Sequence, residues 1–145
     1  EITVRAATAA DLPAIAALLA VGELPHADIA PHLANFLGAW AGETLVGTIG
    51  AEVHGEDALL RSLAVAPAAR GRGLGRRLVQ QLRVARPTVR RWWLLTTKAE
   101  TFFAELRFGK VERRLAPAAI ATTEEFRALC PASAVCMVRR EGAGP

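Results

Sequence analysis

At 145 residues the chain has the length of one ordinary domain, and 52% hydrophobic with 22% charged residues is the balance of a chain that packs a core, which excludes a disordered segment. Its apolar runs fall well short of the ~20 residues a membrane helix needs, and Glu1-Ile2-Thr3-Val4-Arg5 lacks the basic-then-apolar order of a signal peptide, so a cytoplasmic location with no membrane partner is expected. The net charge of +4 is uneven, with arginines crowded between Arg70 and Arg91, a block suited to an anionic partner.

Thr3-Val4-Arg5 reads as an opening strand. Thr8-Ala9-Ala10-Asp11 then sets a hydroxyl and a carboxylate three apart, as at a helix N-terminus, and Leu12, Ile15, Ala16, Leu18 and Leu19 lie on one face of a helix reaching about Ala20. A second short helix is expected from Asp28 to about Asn35. Two strands follow, Phe36 to Trp40 and Thr44 to Val53, joined at Gly42-Glu43, and a turn at Gly55-Glu56-Asp57 leads to a strand from Leu59 to Val65.

Leu74, Leu78, Leu82 and Ala85 recur at helical spacing up to Pro87, with most of the arginines on the other side. Trp92 to Thr96 reads as a buried strand, and Ala99, Phe102, Phe103 and Leu106 as a short amphipathic helix. Gly109 to Leu115 is expected as a strand, Pro117 to Leu129 as a helix and Ser133 to Arg139 as the last strand, before a loose tail over 141–145. Strands come first as a meander and then alternate with helices. The fold class is therefore α/β with a mixed sheet covered on its faces, in one domain over 1–140.

The segment richest in chemistry is Leu63-Ala64-Val65-Ala66-Pro67-Ala68-Ala69-Arg70-Gly71-Arg72-Gly73-Leu74-Gly75-Arg76, a strand entering a helix through a glycine-rich turn. The first turn of a helix has free backbone N–H groups and a positive dipole end, and glycines let that backbone approach a phosphate closely. Each charge-assisted hydrogen bond to an anion contributes roughly 1.5–3 kcal/mol, so a few anchor a pyrophosphate. A dinucleotide fingerprint fails because Arg76 stands where its third glycine belongs; the same arginine spoils a kinase glycine loop, and no Gly-Lys-Ser or Gly-Lys-Thr occurs.

What remains, Val65-x-Pro67 before Arg70-x-x-Gly73-x-Gly75, resembles the acetyl-CoA pyrophosphate loop of the GCN5-related N-acetyltransferases (GNAT). Trp92 to Thr96 followed by Ala99-x-x-Phe102-Phe103-x-x-Leu106-Arg107-Phe108 is similar to the family's strand and helix along the pantetheine arm. The resemblance implies a mostly antiparallel sheet of about six or seven strands with four or five helices. It further implies acetyl-CoA as cosubstrate, a small amine-bearing acceptor, and no metal; homodimers are common in the family. Cofactor contacts would come from Leu63, Ala64 and Val65, from Arg70, Gly71, Arg72, Gly73, Leu74, Gly75 and Arg76, and from Thr96, Phe102 and Phe103. Ordinary core packing is an equal reading of the phenylalanine pair.

An alkylammonium with a pKa near 10.4 must lose a proton before it attacks, at a cost of roughly 4–5 kcal/mol at pH 7. Glu52 is the candidate base, with a solvated hairpin charge as the plainer reading. The family's usual tyrosine donor to the thiolate falls at Phe103, and the chain has no tyrosine. Arg61 and Ser62, side by side in an apolar strand, are the candidate substrate-binding residues: Arg61 either meets a substrate carboxylate or other oxyanion or is paired inside the protein, for example with Glu52 or Glu56.

Glu52-Val53-His54-Gly55, Leu60-Arg61-Ser62-Leu63-Ala64-Val65, Leu94-Leu95-Thr96-Thr97 and Leu129-Cys130-Pro131-Ala132-Ser133-Ala134 resemble acetyltransferases of bacterial arsenic-resistance operons, which implies a toxic amino-acid-like acceptor. Direct arsenic binding by Cys130 and Cys136 is disfavoured against their packing as small apolar groups, and His26, His32 and His54 lack metal-ligand spacing. Two rival classes stay open. One is a nucleic-acid or regulatory module, suited to the arginines but lacking a helix-turn-helix or an aromatic platform, and the other is a CoA-binding protein without catalysis.

Overall fold

A computed structural model describes residues 1–142; positions 143–145 of the expected tail lie outside the described residues. In chain order the elements are β1 (Ile2–Ala6), α1 (Leu12–Val21), β2 (Phe36–Ala41), β3 (Thr44–His54), β4 (Asp57–Val65), α2 (Leu74–Ala85), β5 (Arg91–Thr96), α3 (Glu100–Glu105), β6 (Gly109–Lys110), α4 (Ala118–Ala121) and β7 (Val135–Arg140). The strands make one seven-stranded sheet in the order β1-β2-β3-β4-β5-β7-β6. The β4–β5 pair is parallel, while β1–β2, β2–β3, β5–β7 and β6–β7 are antiparallel, which is the mixed, mostly antiparallel sheet expected. No helix among the described residues is long and apolar enough to cross a membrane.

The chain divides into two compact units, Glu1–Glu52 with Arg61–Arg86, and Val53–Leu60 with the chain from Pro87 onward. In the first, Asp11 accepts from the backbone N–H of Thr8 at 2.8 Å and closes the turn ahead of α1, as the Thr-x-x-Asp spacing predicts. Ile15 and Leu19 of α1 are fully buried with Ile29 and Phe36. The Phe36 ring lies over its register partner Gly50, where any Cβ would collide with it. At Gly47 a Cβ would press on Leu74 and Leu78 of α2, so this glycine admits the helix. The segment before β2 is a 3-10 turn over Ala30–Asn35, tighter than the short helix expected, with Pro31 in its first turn.

The second unit is built on β5 and β7, with Trp93, Val138, Cys136, Leu59, Ile120 and Phe126 in one core. Two expectations fail here. Gly109 to Leu115 is not a continuous strand: β6 covers Gly109 and Lys110, Val111 makes one more backbone bond to Cys136 of β7 at 2.9 Å, and Arg113–Leu115 is a 3-10 turn. Arg113 explains the departure, because its guanidinium donates to the carbonyls of Phe126 at 2.8 Å and Pro131 at 3.1 Å and lies over the Phe126 ring. Pro117 to Leu129 is not one helix either. α4 stops at Ala121, and Glu125–Leu129 is a π turn. Buried Thr123 breaks the ladder by donating its hydroxyl to the Ile120 carbonyl at 2.7 Å while accepting from the Phe126 N–H at 3.4 Å.

Candidate functional site

The turn from β4 into α2 carries the first group of site residues. A 3-10 turn, Pro67–Ala69, leads into Arg70-Gly71-Arg72-Gly73, all four exposed, and Gly73 caps the twelve-residue α2. Gly71 has φ +80° and Gly73 φ +76°, the left-handed region that costs an ordinary residue about 1–2 kcal/mol. A Cβ at either would have nothing within 4 Å, so these glycines are there for backbone conformation and an open surface. The amides opening α2 are thus unobstructed beside a positive dipole end, a cradle that fits a diphosphate. Leu74 is buried and anchors the turn, Gly75 is half-buried, and Arg76 is exposed on the first turn.

Leu63, Ala64 and Val65, the expected backbone partners of a pantetheine arm, are half-buried. They follow Ser62, whose φ of +62° departs from extended backbone and redirects the strand at that point. The Val65 carbonyl accepts from Arg70 Nε at 3.1 Å, which ties the end of β4 to the glycine turn.

A second group is a buried ion cluster in the same unit. Arg61 has no exposed side-chain surface, and its NH1 donates to Glu52 Oε2 at 2.8 Å and to Asp28 Oδ2 at 2.7 Å. NH2 donates to Asp28 Oδ1 at 2.6 Å, and Nε to the Ser62 hydroxyl at 3.0 Å. Of the internal partners suggested for Arg61, Glu52 is met, while Glu56 lies 3.8 Å from Arg91. Asp28, which the sequence marked only as the start of a short helix and not as a site residue, is the bidentate partner, and the Arg61 hydrogen bonds hold its carboxyl below the usual carboxylate range against the opposing effect of burial. His32 was also missed as a site residue. Its Nε2 lies 3.5 Å from Glu52 Oε1. A buried arginine in β4 announces that acidic partners exist, but nothing local points to a loop 33 positions earlier.

In the second unit Thr96 Oγ1 accepts from the Ala99 N–H at 3.0 Å, so it closes the turn into α3. Phe103 is buried and packs edge-on against Phe102 and Phe108 at centroid distances of 5.0 and 5.4 Å, while Phe102 is half-buried. The core-packing reading therefore fits Phe103, and Phe102 keeps a face outward. Cys130 and Cys136 are not joined in a disulfide, and burial raises the pKa of Cys136. Among the described residues no cluster of three or more His, Cys, Asp or Glu is arranged to hold a metal.

Comparison with known proteins places these features. No curated protein matches the chain. Among solved structures, the N-acetylglutamate synthase of Neisseria gonorrhoeae, in complex with coenzyme A and L-arginine, superposes with a TM-score of 0.81 at 25% identity over 96% of this chain and 33% of that one. This chain thus spans about a third of the gonococcal enzyme's length. Rv2747 of Mycobacterium tuberculosis, in complex with CoA and a second ligand, superposes with a TM-score of 0.77 at 25% identity over 95% of this chain and 98% of that one. The PaiA N-acetyltransferase of Thermoplasma acidophilum, in complex with coenzyme A, shares the fold at 15% identity and a TM-score of 0.65 over 97% and 99% of the two chains. A model of the acetyltransferase (GNAT) domain matches residues 32–108, more than half of the sequence, and the chain therefore belongs to the GNAT acetyltransferase family.

Proposed function

We propose that the chain is an acetyl-CoA-dependent N-acetyltransferase acting on the amine of a small amino-acid-like molecule. The observation that carries this reading is the exposed turn at 70–73, whose two left-handed glycines leave the amides at the head of α2 open to a diphosphate. The cosubstrate supplies an acetyl group activated as a thioester. The chain's own part is to orient that group through the backbone of Leu63–Val65, to remove a proton from the acceptor and to polarise the carbonyl under attack. Glu52 is the base. With Arg61 fixed on one of its oxygens, Arg61 and Ser62 serve to hold Glu52 and Asp28 in place.

The cluster also bears on the acceptor. Two carboxylates face one guanidinium, so with His32 neutral the group carries net negative charge and favours an ammonium acceptor. N-acetylglutamate synthase among the structural neighbours supports an amino acid as the amine, and the resemblance to arsenic-resistance acetyltransferases adds amino-acid-like arsenicals to the acceptors worth assaying. A thiol-release assay over amino acids, phosphinic and arsinic analogues, polyamines and peptides tests the proposal, alongside calorimetric titration with acetyl-CoA. Micromolar binding with turnover of at least one amine is expected. Binding with a silent panel would favour a CoA-binding protein without catalysis, the reading that the lack of any tyrosine supports. No binding would remove both.

A further inference from the structure

We infer that His32 is the proton exit for Glu52: it takes from the buried carboxyl the proton that Glu52 has removed from the acceptor ammonium and passes it to solvent. The inference rests on the reading of Glu52 as the base, and it assigns a role to a residue that the proposed function leaves unused. Glu52 is only 4% exposed, so a proton it accepts has little direct contact with water, yet that proton must leave before the next turnover. Arg61 holds Oε2 at 2.8 Å, which leaves Oε1 as the oxygen free to be protonated, and Oε1 is the one facing His32 Nε2 at 3.5 Å. That separation is long for a hydrogen bond, as catalytic contacts commonly are before the substrate binds. His32 is 31% exposed and joins the buried oxygen to the surface.

The other charged neighbours cannot serve. Arg61 does not give up a proton in the working pH range. Both oxygens of Asp28 accept from Arg61, Oδ2 at 2.7 Å and Oδ1 at 2.6 Å, whereas Arg61 engages only Oε2 of Glu52, so Asp28 offers no comparable oxygen to carry a proton. Glu52 and Asp28 are the charged groups seen to act on His32 among the described residues, and Arg61 bridges the two. The balance closes without any further reactant. Glu52 takes one proton from R–NH3+, and the free amine attacks the thioester carbonyl. The C–S bond breaks, and the leaving thiolate receives the second amine proton through water. Glu52 then gives its proton from Oε1 to Nε2 of His32, and the imidazolium releases one from Nδ1 to water. Overall one amine and one thioester give one amide, one thiol and one proton.

The test is turnover of His32→Gln and His32→Ala with an acceptor found in the thiol-release assay, together with melting temperature and acetyl-CoA affinity. The expected result is a fall in kcat of about tenfold or more in both variants, below the 10²–10⁴ typical of losing the base itself, with acetyl-CoA affinity and melting unchanged. Added imidazole should raise the rate of His32→Ala in proportion to its concentration and leave the wild type unaffected. Wild-type kcat in both variants would overturn the inference, as would a loss that imidazole cannot restore. Glu52→Gln in the same assay separates the two levels: if it is slow while His32→Gln is normal, only the exit fails, and if it turns over like the wild type, the base assignment fails and the exit with it.

Discussion

Removing the guanidinium of Arg61 would leave Asp28 and Glu52 as uncompensated carboxylates held against each other, since both are fastened to the same NH1. Breaking a buried pair from one side costs about 3–5 kcal/mol, far more than intact pairs commonly contribute. Arg61→Ala is therefore expected to lower the unfolding free energy by that amount, read from urea denaturation, and the cost should shrink in a Glu52→Gln background because one stranded charge has gone. Equal costs in the two backgrounds would mean the residues are not coupled. Arg61→Lys should also be poorly tolerated, because an ammonium cannot reproduce the two-pronged contact with Asp28 while reaching Glu52 and Ser62. The presence of such a cluster could be read from the chain, since an arginine inside an apolar strand needs partners. The identity of those partners could not, because the contact with Asp28 depends on how the loop after α1 returns to β4.

Glycines in different elements separate binding from stability. Gly73 has open space around its α-carbon, so Gly73→Val acts through the φ of +76° and by covering the amides that begin α2. It should weaken acetyl-CoA binding by at least about tenfold in calorimetric titration, the loss of one charge-assisted hydrogen bond. Gly50→Ala, by contrast, drives a methyl into the Phe36 ring and should lower the melting temperature while the folded fraction binds acetyl-CoA normally. The reverse pattern would put the anion cradle elsewhere. The turn and the strands through Val65 were legible because two-residue alternation, glycine pairs and Pro67 are local signals. Elements after Phe108 were less so. Arg113 leaves the expected strand to cap carbonyls at 126 and 131, and Thr123 diverts a backbone bond within what composition presents as a helix, and both choices depend on tertiary neighbours.

At the scale of the whole molecule, the response to acid follows from carboxylates present in both units. Asp11 is held below the usual range first by the Thr8 amide and then by Arg5; Asp28 and Asp57 are held there first by Arg61 and Arg91 respectively. Each native carboxyl thus binds protons less readily than its unfolded counterpart, for which the ordinary value is about 3.9. The unfolded chain then carries more protons wherever the two forms differ, so unfolding free energy rises with pH in that window. The stabilisation is complete above the unfolded value and is lost as pH falls through the lower native values, which places the decline below about pH 4. Asp57 offers the cleanest single test, because its Oδ1 accepts from Arg91 Nε at 2.7 Å and from Trp93 Nε1 at 2.9 Å within one unit. Asp57→Asn should be less stable than the wild type at pH 7 by ~1 kcal/mol, below the usual range for a charged hydrogen bond because Arg91 is more than a third exposed. Urea denaturation from pH 7 to pH 2 should show the two curves converging as the wild-type carboxyl takes up its proton and the contact loses its charge. Parallel curves across that range would mean that Asp57 contributes shape and hydrogen bonding but no charge, and that the acid sensitivity of the fold resides in other carboxylates, Asp11 and Asp28 among them.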